Sequence, residues 1–417
     1  MKFSNLGISK ELQNVLQENR ITEPTPIQEQ TIPVILKSKD VMAQAQTGTG
    51  KTLAFLLPIL EKIDPNKGTV QALIVTPTRE LAIQITNEAK KLQEAKNINI
   101  LAAYGGQDVE KQINKLKGGI QLVIGTPGRL ADHLRRKTIN FKNLKTLVLD
   151  EADQILDMGF IHEIEEIMNN SNKGRQTLFF SATLTKKVKS LSGKYMKKPE
   201  FIKVESQKVT LEEIQQIVIE TTDRLKQDAL CHAIDEHKPF MAIIFCRTKR
   251  RAQILNEALN ERGYDSDELH GDLTQPKRQR VMKKFRDLKL QFLVATDIAA
   301  RGLDIDGMSY VFNYDTPEDA ESYIHRIGRT GRAGKDGVAI TFVAPKDQNF
   351  LADIEQGIEM KIQKQRYEKD GSETSFVEVK KASKPKKKEF NKKEFHKKGN
   401  GFKQKGNKFG KNKRPKR

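Results

Sequence analysis

The sequence predicts two α/β domains in tandem, each built on a parallel sheet, followed by a disordered basic tail. Three observations carry that expectation. Short apolar runs recur along the 417 residues, and most are followed by a helical pattern. Unusual polar residues come directly after those runs. Residues 380–417 carry +16 of the formal net charge of +20, which leaves only +4 for residues 1–379.

The runs in the first half are ALIVTPT, INILAAYGG, IQLVIGTPG, TLVLDEAD and TLFFSAT; those in the second are MAIIFCRT, FLVATDIA, YVFNYDT and VAITFVAP. Uninterrupted apolar stretches of this length suit strands buried on both faces. Their alternation with helical patterns such as Arg79–Glu94 and Lys249–Arg262 argues for parallel α/β sheets. The first domain is expected over residues 1–205, a polar linker over 206–213, the second domain over 214–368 and the tail over 369–417. The tail is rich in Lys, Asn and Gly with few aliphatics, so it lacks the material for a core.

No apolar run approaches a membrane span, and the start MKFSNLGISKEL lacks a signal-peptide core. Cys231 and Cys246 fit no metal or disulfide framework, so a reducing cytoplasm is the expected location. The basic balance points to polyanions, with RNA, DNA or an acidic membrane surface as candidates.

Residues 45–52 read AQTGTGKT, the phosphate-loop pattern with Ala45 in place of its first glycine. Gly48 and Gly50 let the backbone turn several N–H groups toward one phosphate. Lys51 supplies charge to the outer phosphates and Thr52 offers a hydroxyl to Mg²⁺. The plainer alternative is a glycine-rich turn before a helix. Farther on, TLVLDEADQILDMGF places Asp150, Glu151 and Asp153 at the end of a hydrophobic run. An acid there is costly unless paired. A hard cation needs only one protein carboxylate, which fits Asp150, and Glu151 can polarise an attacking water. Helix capping is the competing explanation and suits Asp153. In open parallel sheets ligands bind at the carboxyl ends of strands, so these residues should converge there.

The ordered set PTPIQ at 24–28, AQTGTGKT at 45–52, PTRELA at 77–82, TPGR at 126–129, DEAD at 150–153, SAT at 181–183, ATDIAARGLDI at 295–305 and HRIGRTGRAG at 325–334 resembles the DEAD-box ATP-dependent RNA helicases of bacterial type. The resemblance spans about residues 3–357 and implies two RecA-like domains that hydrolyse ATP in response to RNA. It implies nucleotide contacts from Ala45, Gln46, Thr47, Gly48, Thr49, Gly50, Lys51 and Thr52, with Gln28 reading adenine. Ile21 stands where the family usually carries an aromatic, which moves the adenine contact toward Gln28 and Phe3. Asp304 would face the sugar. Thr52 and Asp150 would hold Mg²⁺, Glu151 would polarise the water, and Arg329 and Arg332 would act as arginine fingers. Asp153, Ser181, Ala182, Thr183, His325 and Arg326 would couple the nucleotide to the RNA face. RNA contacts are implied for Pro77, Arg79, Gly105, Gly106, Thr126, Gly128, Arg129, His270, Gly271, Asp272, Thr296 and Arg301.

Because Lys51, Thr52, Asp150 and Glu151 lie in one half and Arg329 and Arg332 in the other, hydrolysis is expected to require closure of the two domains, driven by RNA. The expected outcome is local opening of short RNA duplexes, in a setting such as ribosome assembly or RNA turnover. An ATP-gated RNA clamp or annealing chaperone and a DNA helicase are the alternatives. In the tail, Phe390, Phe395, Phe402 and Phe409 are spaced among lysines. That pattern suits additional, sequence-independent RNA binding, or simply solubility.

Overall fold

In the computed structural model the described residues are 2–46, 48–204, 214–300, 308–331, 337–370 and 373–378. Thr47, Arg301, Asp304 and Arg332, the expected linker 206–213 and the part of the expected tail beyond residue 378 lie outside them.

Among the described residues, seven strands form the first sheet: β1 (Val41–Gln44), β2 (Ala72–Val75), β3 (Ile100–Ala103), β4 (Leu122–Gly125), β5 (Thr146–Asp150), β6 (Gln176–Ser181) and β7 (Glu200–Lys203). They lie in the order β3-β4-β2-β5-β6-β1-β7 and pair parallel throughout. Strands β2, β4, β5 and β6 are buried along their whole length, as uninterrupted apolar runs require.

The order decides what meets at the carboxyl edge. Strands β5, β6 and β1 are neighbours, so the segments after them, DEAD, SAT and the phosphate loop, lie side by side. Strands β3, β4 and β2 form the other flank and carry the Gly105-Gly106 turn, TPGR and PTRELA. The nucleotide motifs and the expected RNA motifs are thereby sorted onto two halves of one edge.

The second sheet holds β8 (Ile214–Glu220), β9 (Ala242–Cys246), β10 (Ser266–Leu269), β11 (Phe292–Thr296), β12 (Tyr310–Asn313), β13 (Gly337–Val343), β14 (Gln363–Asp370) and β15 (Glu373–Glu378). Their order is β10-β11-β9-β12-β13-β8-β14-β15, parallel except for the antiparallel hairpin β14–β15. This hairpin carries the sheet to Glu378, past residue 368 where the sequence reading closed the domain. Its sequence, QKQRYEKD then ETSFVE, is polar because it forms the sheet edge. Tyr367 and Phe376 pack against His232, with ring centroids 5.8 and 4.7 Å away, and hold it down.

Helices are set by local signals. Thr78 Oγ1 accepts from Leu81 N at 3.3 Å and starts the helix Arg79–Gln93. Thr248 Oγ1 accepts from Arg251 N at 3.3 Å and starts Lys249–Glu261 in the same way. These caps each contribute on the order of 1 kcal/mol. The helix Lys51–Lys62 is apolar on nearly every side because it runs beneath the first sheet, with Ala54 to Leu60 buried. Its Phe55 meets Phe180 of β6 edge-to-face at 5.2 Å. No helix among the described residues is long and apolar enough to cross a membrane. Cys231 and Cys246 are buried free thiols.

Phe55 is fully buried and joins the phosphate-loop helix to the strand that carries SAT. Phe55→Ala is expected to cost about 3–5 kcal/mol through the cavity it leaves. Urea denaturation followed by circular dichroism should show the transition of the first domain moving to lower urea.

Candidate active site and nucleic-acid interface

The phosphate loop leaves β1 at Gln44. Ala45 N donates to Ser181 O at 3.0 Å, Gln44 Nε2 to Ala182 O at 3.2 Å, and Thr49 Oγ1 to Gln46 O at 2.8 Å. Gly48 and Gly50 have φ of +79° and +89°. A Cβ on Gly50 would also fall 2.6 Å from Gln28 Nε2, so both conformation and space demand glycine there. Lys51 is the first residue of the following helix. Its side chain is buried and its Nζ has no hydrogen-bond partner. A buried ammonium left without a partner is a costly arrangement that an anion relieves.

Gln28 sits behind this loop. Its Oε1 accepts from Thr25 N and its Nε2 donates to Gly50 O, both at 3.0 Å. It therefore completes the capping box of the helix Pro26–Leu36 and pins the loop with the same amide. Phe3 is only 4% exposed and belongs to the core, and Ile21 packs against that core. Phe3 thus presents almost no ring surface to a base.

The acids at the end of β5 are all buried. Asp150 Oδ1 accepts from Glu151 N at 3.0 Å. Burial raises the Asp150 carboxyl, against the pull of Lys51. Glu151 has φ of +52°, a left-handed conformation uncommon for a side-chain-bearing residue. Its Oε2 is buried without a partner. Burial pushes Glu151 up to about 7; Asp150 adds to the rise, while Lys51 and Arg329 oppose it.

Asp153 faces the opposite way. Its Oδ2 accepts from Thr183 N at 2.7 Å and from Thr183 Oγ1 at 2.9 Å. Ser181 Oγ accepts from Asp153 N at 3.3 Å and donates to Thr183 O at 2.6 Å. The two acids two residues apart thus differ: Glu151 keeps an open oxygen and Asp153 is tied to SAT.

Among the described residues no group of three or more His, Cys, Asp and Glu side chains forms a metal cage. The Asp150 carboxylate and the Thr52 hydroxyl instead suit a hard cation that takes its other oxygens from phosphates and water.

In the second domain the helix Ala320–Ile327 begins on Asp319, whose Oδ1 accepts from Ser322 N at 2.7 Å, and carries His325 and Arg326. Arg326 is a structural clasp. It pairs with both oxygens of Asp297 at 2.6 Å, donates to Asp315 O at 2.6 Å and lies over the Phe245 ring at 5.2 Å. Arg329 is buried just beyond this helix and its charge reaches Glu151 across the cleft.

The RNA-type motifs form a second cluster. Arg79 lies against the Gly105-Gly106 turn: a Cβ on either glycine would fall 2.9 or 2.8 Å from its guanidinium. Pro77 is buried at the preceding bend, and Thr126 precedes the helix Pro127–Arg135. Gly128 is exposed, with nothing within 4 Å of an added Cβ. Arg129 donates to Gln112 Oε1 at 3.0 Å and to Gln107 O at 3.3 Å. Across the cleft, His270 Nε2 lies 3.2 Å from Glu268 Oε2, and Asp272 pairs with Lys249 at 2.5 Å beside Gly271. Thr296 is buried at the end of β11.

Several participants carried no sequence signal. Glu80 pairs with Arg278 of the second domain at 2.7 Å, with both side chains largely buried. Arg278 also donates to His270 O at 3.0 Å. Glu321 lies against Thr183 and feels Asp153; burial raises its carboxyl. The position of Glu80 inside PTRELA could have marked it, whereas Arg278 and Glu321 sit on ordinary amphipathic helices.

Residues 25–191 match the family described as DEAD/DEAH box helicase, and residues 225–334 match the helicase conserved C-terminal domain. The DEAD-box ATP-dependent RNA helicase CshA of Bacillus subtilis is 48% identical over 364 residues, covering 87% of this chain and 74% of that protein. The ATP-dependent RNA helicase CshA of Listeria monocytogenes is 48% identical over 362 residues, covering 87% and 70%. This chain belongs to the DEAD-box ATP-dependent RNA helicases. Solved relatives share the fold. S. cerevisiae Dbp5 bound to RNA and ADP BeF3 matches at TM-score 0.79 with 32% identity, over 88% of this chain and 95% of that one. A single-residue variant of Dbp5 bound to a Gle1 variant and IP6 matches at 0.70, with the same identity and coverage.

The helicase holds Arg129 through a buried relay. Gln112 Nε2 donates to Gln107 Oε1 at 3.1 Å, so its Oε1 must face Arg129 and His133. His133 then donates from Nε2 to Gln112 at 2.9 Å, and its Nδ1 lies 2.8 Å from Thr138 Oγ1. Burial, then the Arg129 charge, lowers the His133 pKa below 6.5. The unfolded chain therefore binds a proton near pH 6.5 that the folded chain refuses. This contribution to stability is present above pH 6.5 and is lost as pH falls toward the depressed value. Thermal melts from pH 7.5 down to about 5 should show a shallower acid loss in His133→Gln than in the parent.

Proposed function

We propose that the helicase hydrolyses ATP only when its two domains close on nucleotide and RNA together, and that closure opens short RNA duplexes locally. The observation that carries this reading is the meeting of both domains at the carboxyl edge of the first sheet. The Arg329 charge reaches Glu151, Glu321 lies against Thr183, and Arg278 pairs with Glu80. The chain also matches Dbp5 bound to RNA and ADP BeF3 better than the Dbp5 variant with Gle1 and IP6, which favours an arrangement like that of the RNA- and nucleotide-bound form.

The geometry supports the following roles. The turned backbone at Gly48 and Gly50 and the partnerless Lys51 Nζ receive the phosphates. Gln28 exchanges its Thr25 and Gly50 bonds for the adenine edge. Thr52 and Asp150 would hold Mg²⁺, which would supply positive charge against the phosphates. Glu151 accepts a proton from the attacking water at its open Oε2. Arg329, with Arg332, supplies donors to the oxygens on which charge develops.

Asp153, Thr183 and Ser181 transmit the nucleotide state, because Thr183 bridges the end of β5 to Glu321. RNA lies along Arg79, the Gly105-Gly106 turn, Gly128 and Arg129 in the first domain and the His270–Asp272 segment in the second. Glycine amides and guanidinium groups contact phosphate and 2′-OH rather than base edges. The basic tail adds sequence-independent affinity in a cytoplasmic setting, such as ribosome assembly or RNA turnover.

Two experiments test this. Arg329→Ala should lower RNA-stimulated kcat by about 10³-fold while ADP affinity changes little; an unchanged kcat would separate closure from chemistry. In the same assay RNA should stimulate more strongly than DNA of equal sequence, because DNA lacks the 2′-OH. A clamp rather than a helicase is indicated if Glu151→Gln releases duplex strands over repeated cycles as well as the parent.

Removal of residues 380–417 should weaken RNA binding and flatten the slope of log K against log salt, while ATPase without RNA is unchanged. An unaltered slope in fluorescence anisotropy would remove the tail from RNA binding.

A further inference from the structure

The amino edge of the first sheet, opposite the ATP edge, holds an open cleft of about 840 Å³. It is built from the segments that enter β1, β5, β6 and β7, so it lies under the same strands that carry the active-site loops. At about 3.3 Å per residue, the length of β5 puts roughly 16 Å between Asp150 and this edge.

Six cationic and two acidic side chains line the cleft. Both acids are already engaged. Asp40 accepts from Thr177 N at 2.8 Å and Lys197 N at 2.7 Å, and Glu200 pairs with Lys39 at 2.7 Å. Lys145, Lys197 and Lys198 are exposed at the rim and make no ion pair among the described residues. Deeper in, Lys62 Nζ has only neutral partners: Ile35 O at 2.6 Å, Ser38 Oγ at 2.9 Å and Gln176 Oε1 at 3.2 Å. Arg175 is 7% exposed; it donates from one terminal nitrogen to Met168 O and Asn172 O, while its buried Nε has no partner.

Surface lysines alone are ordinary. A buried guanidinium with an unused N–H, next to a half-buried ammonium without a counter-ion, is not, because such groups are expensive to bury. Burial lowers the Lys62 pKa to about 8, the expected result when a cation has no anion to face. The excess of four positive charges matches a short chain of phosphates. A guanidinium fork suits phosphate oxygens.

We propose that this amino-edge cleft is a second anion-binding site of the protein, taking a compact oligophosphate with Arg175 and Lys62 at its floor and Lys145, Lys197 and Lys198 at its rim. The oligophosphate is either free or the 5′-triphosphate end of an RNA. The site is separate from the phosphate loop and does not depend on the reading of the ATP edge.

The test uses the full chain with its phosphate loop saturated by ADP and measures tripolyphosphate binding by calorimetry. The parent should show a site that Arg175→Gln and the double variant Lys197→Glu/Lys198→Glu each weaken about tenfold or more, the loss expected for removing charge-assisted hydrogen bonds. The tail is common to all three proteins, so its own binding cancels in the comparison. RNA-stimulated ATPase should be unchanged in the double variant, which also tests the site without disturbing the buried Arg175. An isotherm in the double variant identical to that of the parent overturns the proposal. Short RNAs with a 5′-triphosphate or a 5′-hydroxyl identify the source. A triphosphate preference lost in the variants assigns the site to RNA ends, and equal binding alongside the tripolyphosphate effect assigns it to free oligophosphate.

Discussion

One carboxylate oxygen organises the nucleotide edge. Asp153 Oδ2 accepts from both the backbone and the hydroxyl of Thr183, and without those bonds a buried anion would stand at the end of an apolar strand. Each is a charge-assisted bond contributing about 1.5–3 kcal/mol. They fix the segment after β6 against the segment after β5, while Ala45 N on Ser181 O fixes the phosphate loop to the same segment. Three motifs distant in sequence become one surface at the ends of three adjoining strands, β5, β6 and β1.

Fixing Asp153 leaves Glu151 free to be different. Glu151 has a left-handed backbone and its side chain feels the Lys51 charge. Asp150, Glu151 and Lys51 then share a pocket from which water is largely excluded, which strengthens their mutual influence. The empty bonding capacity sits on Lys51 Nζ and Glu151 Oε2, the two atoms that a triphosphate and its attacking water would use.

Legibility in the sequence followed burial. The strands β2, β3, β4, β5, β6, β9, β11, β12 and β13 lie in the apolar runs and could be read directly. Strand β1 is only VMAQ, and β10, SDEL, contains two acids, Asp267 and Glu268, one of which meets Lys277 at 2.8 Å. Half of the residues of the edge hairpin β14–β15 are charged. Such strands are specified by neighbours far away in sequence, which no local pattern records. The same holds in the site. Lys51, Asp150 and Asp153 stood out because glycines or apolar residues frame them. Arg278 and Glu321 look like surface charge on amphipathic helices until Glu80 and Thr183 are seen opposite them.

The arginines of HRIGRTGR show how spacing can mislead. Arg326 and Arg329 are three residues apart, which on a helix would suggest one face and one task. The helix ends at Ile327, however, and Arg329 lies beyond it. Arg326 spends its donors on Asp297, Asn313 and Asp315, binding the arginine helix to the ends of β11 and β12. That clasp gives the turn after the helix a fixed direction, and the turn carries Arg329 to the cleft. Arg326 therefore serves as a mount, and Arg329 is the arginine it leaves at the cleft. A lysine at position 326 could keep the charge but not the two-oxygen fork on Asp297, so the placement of the turn that carries Arg329 depends on guanidinium geometry at Arg326.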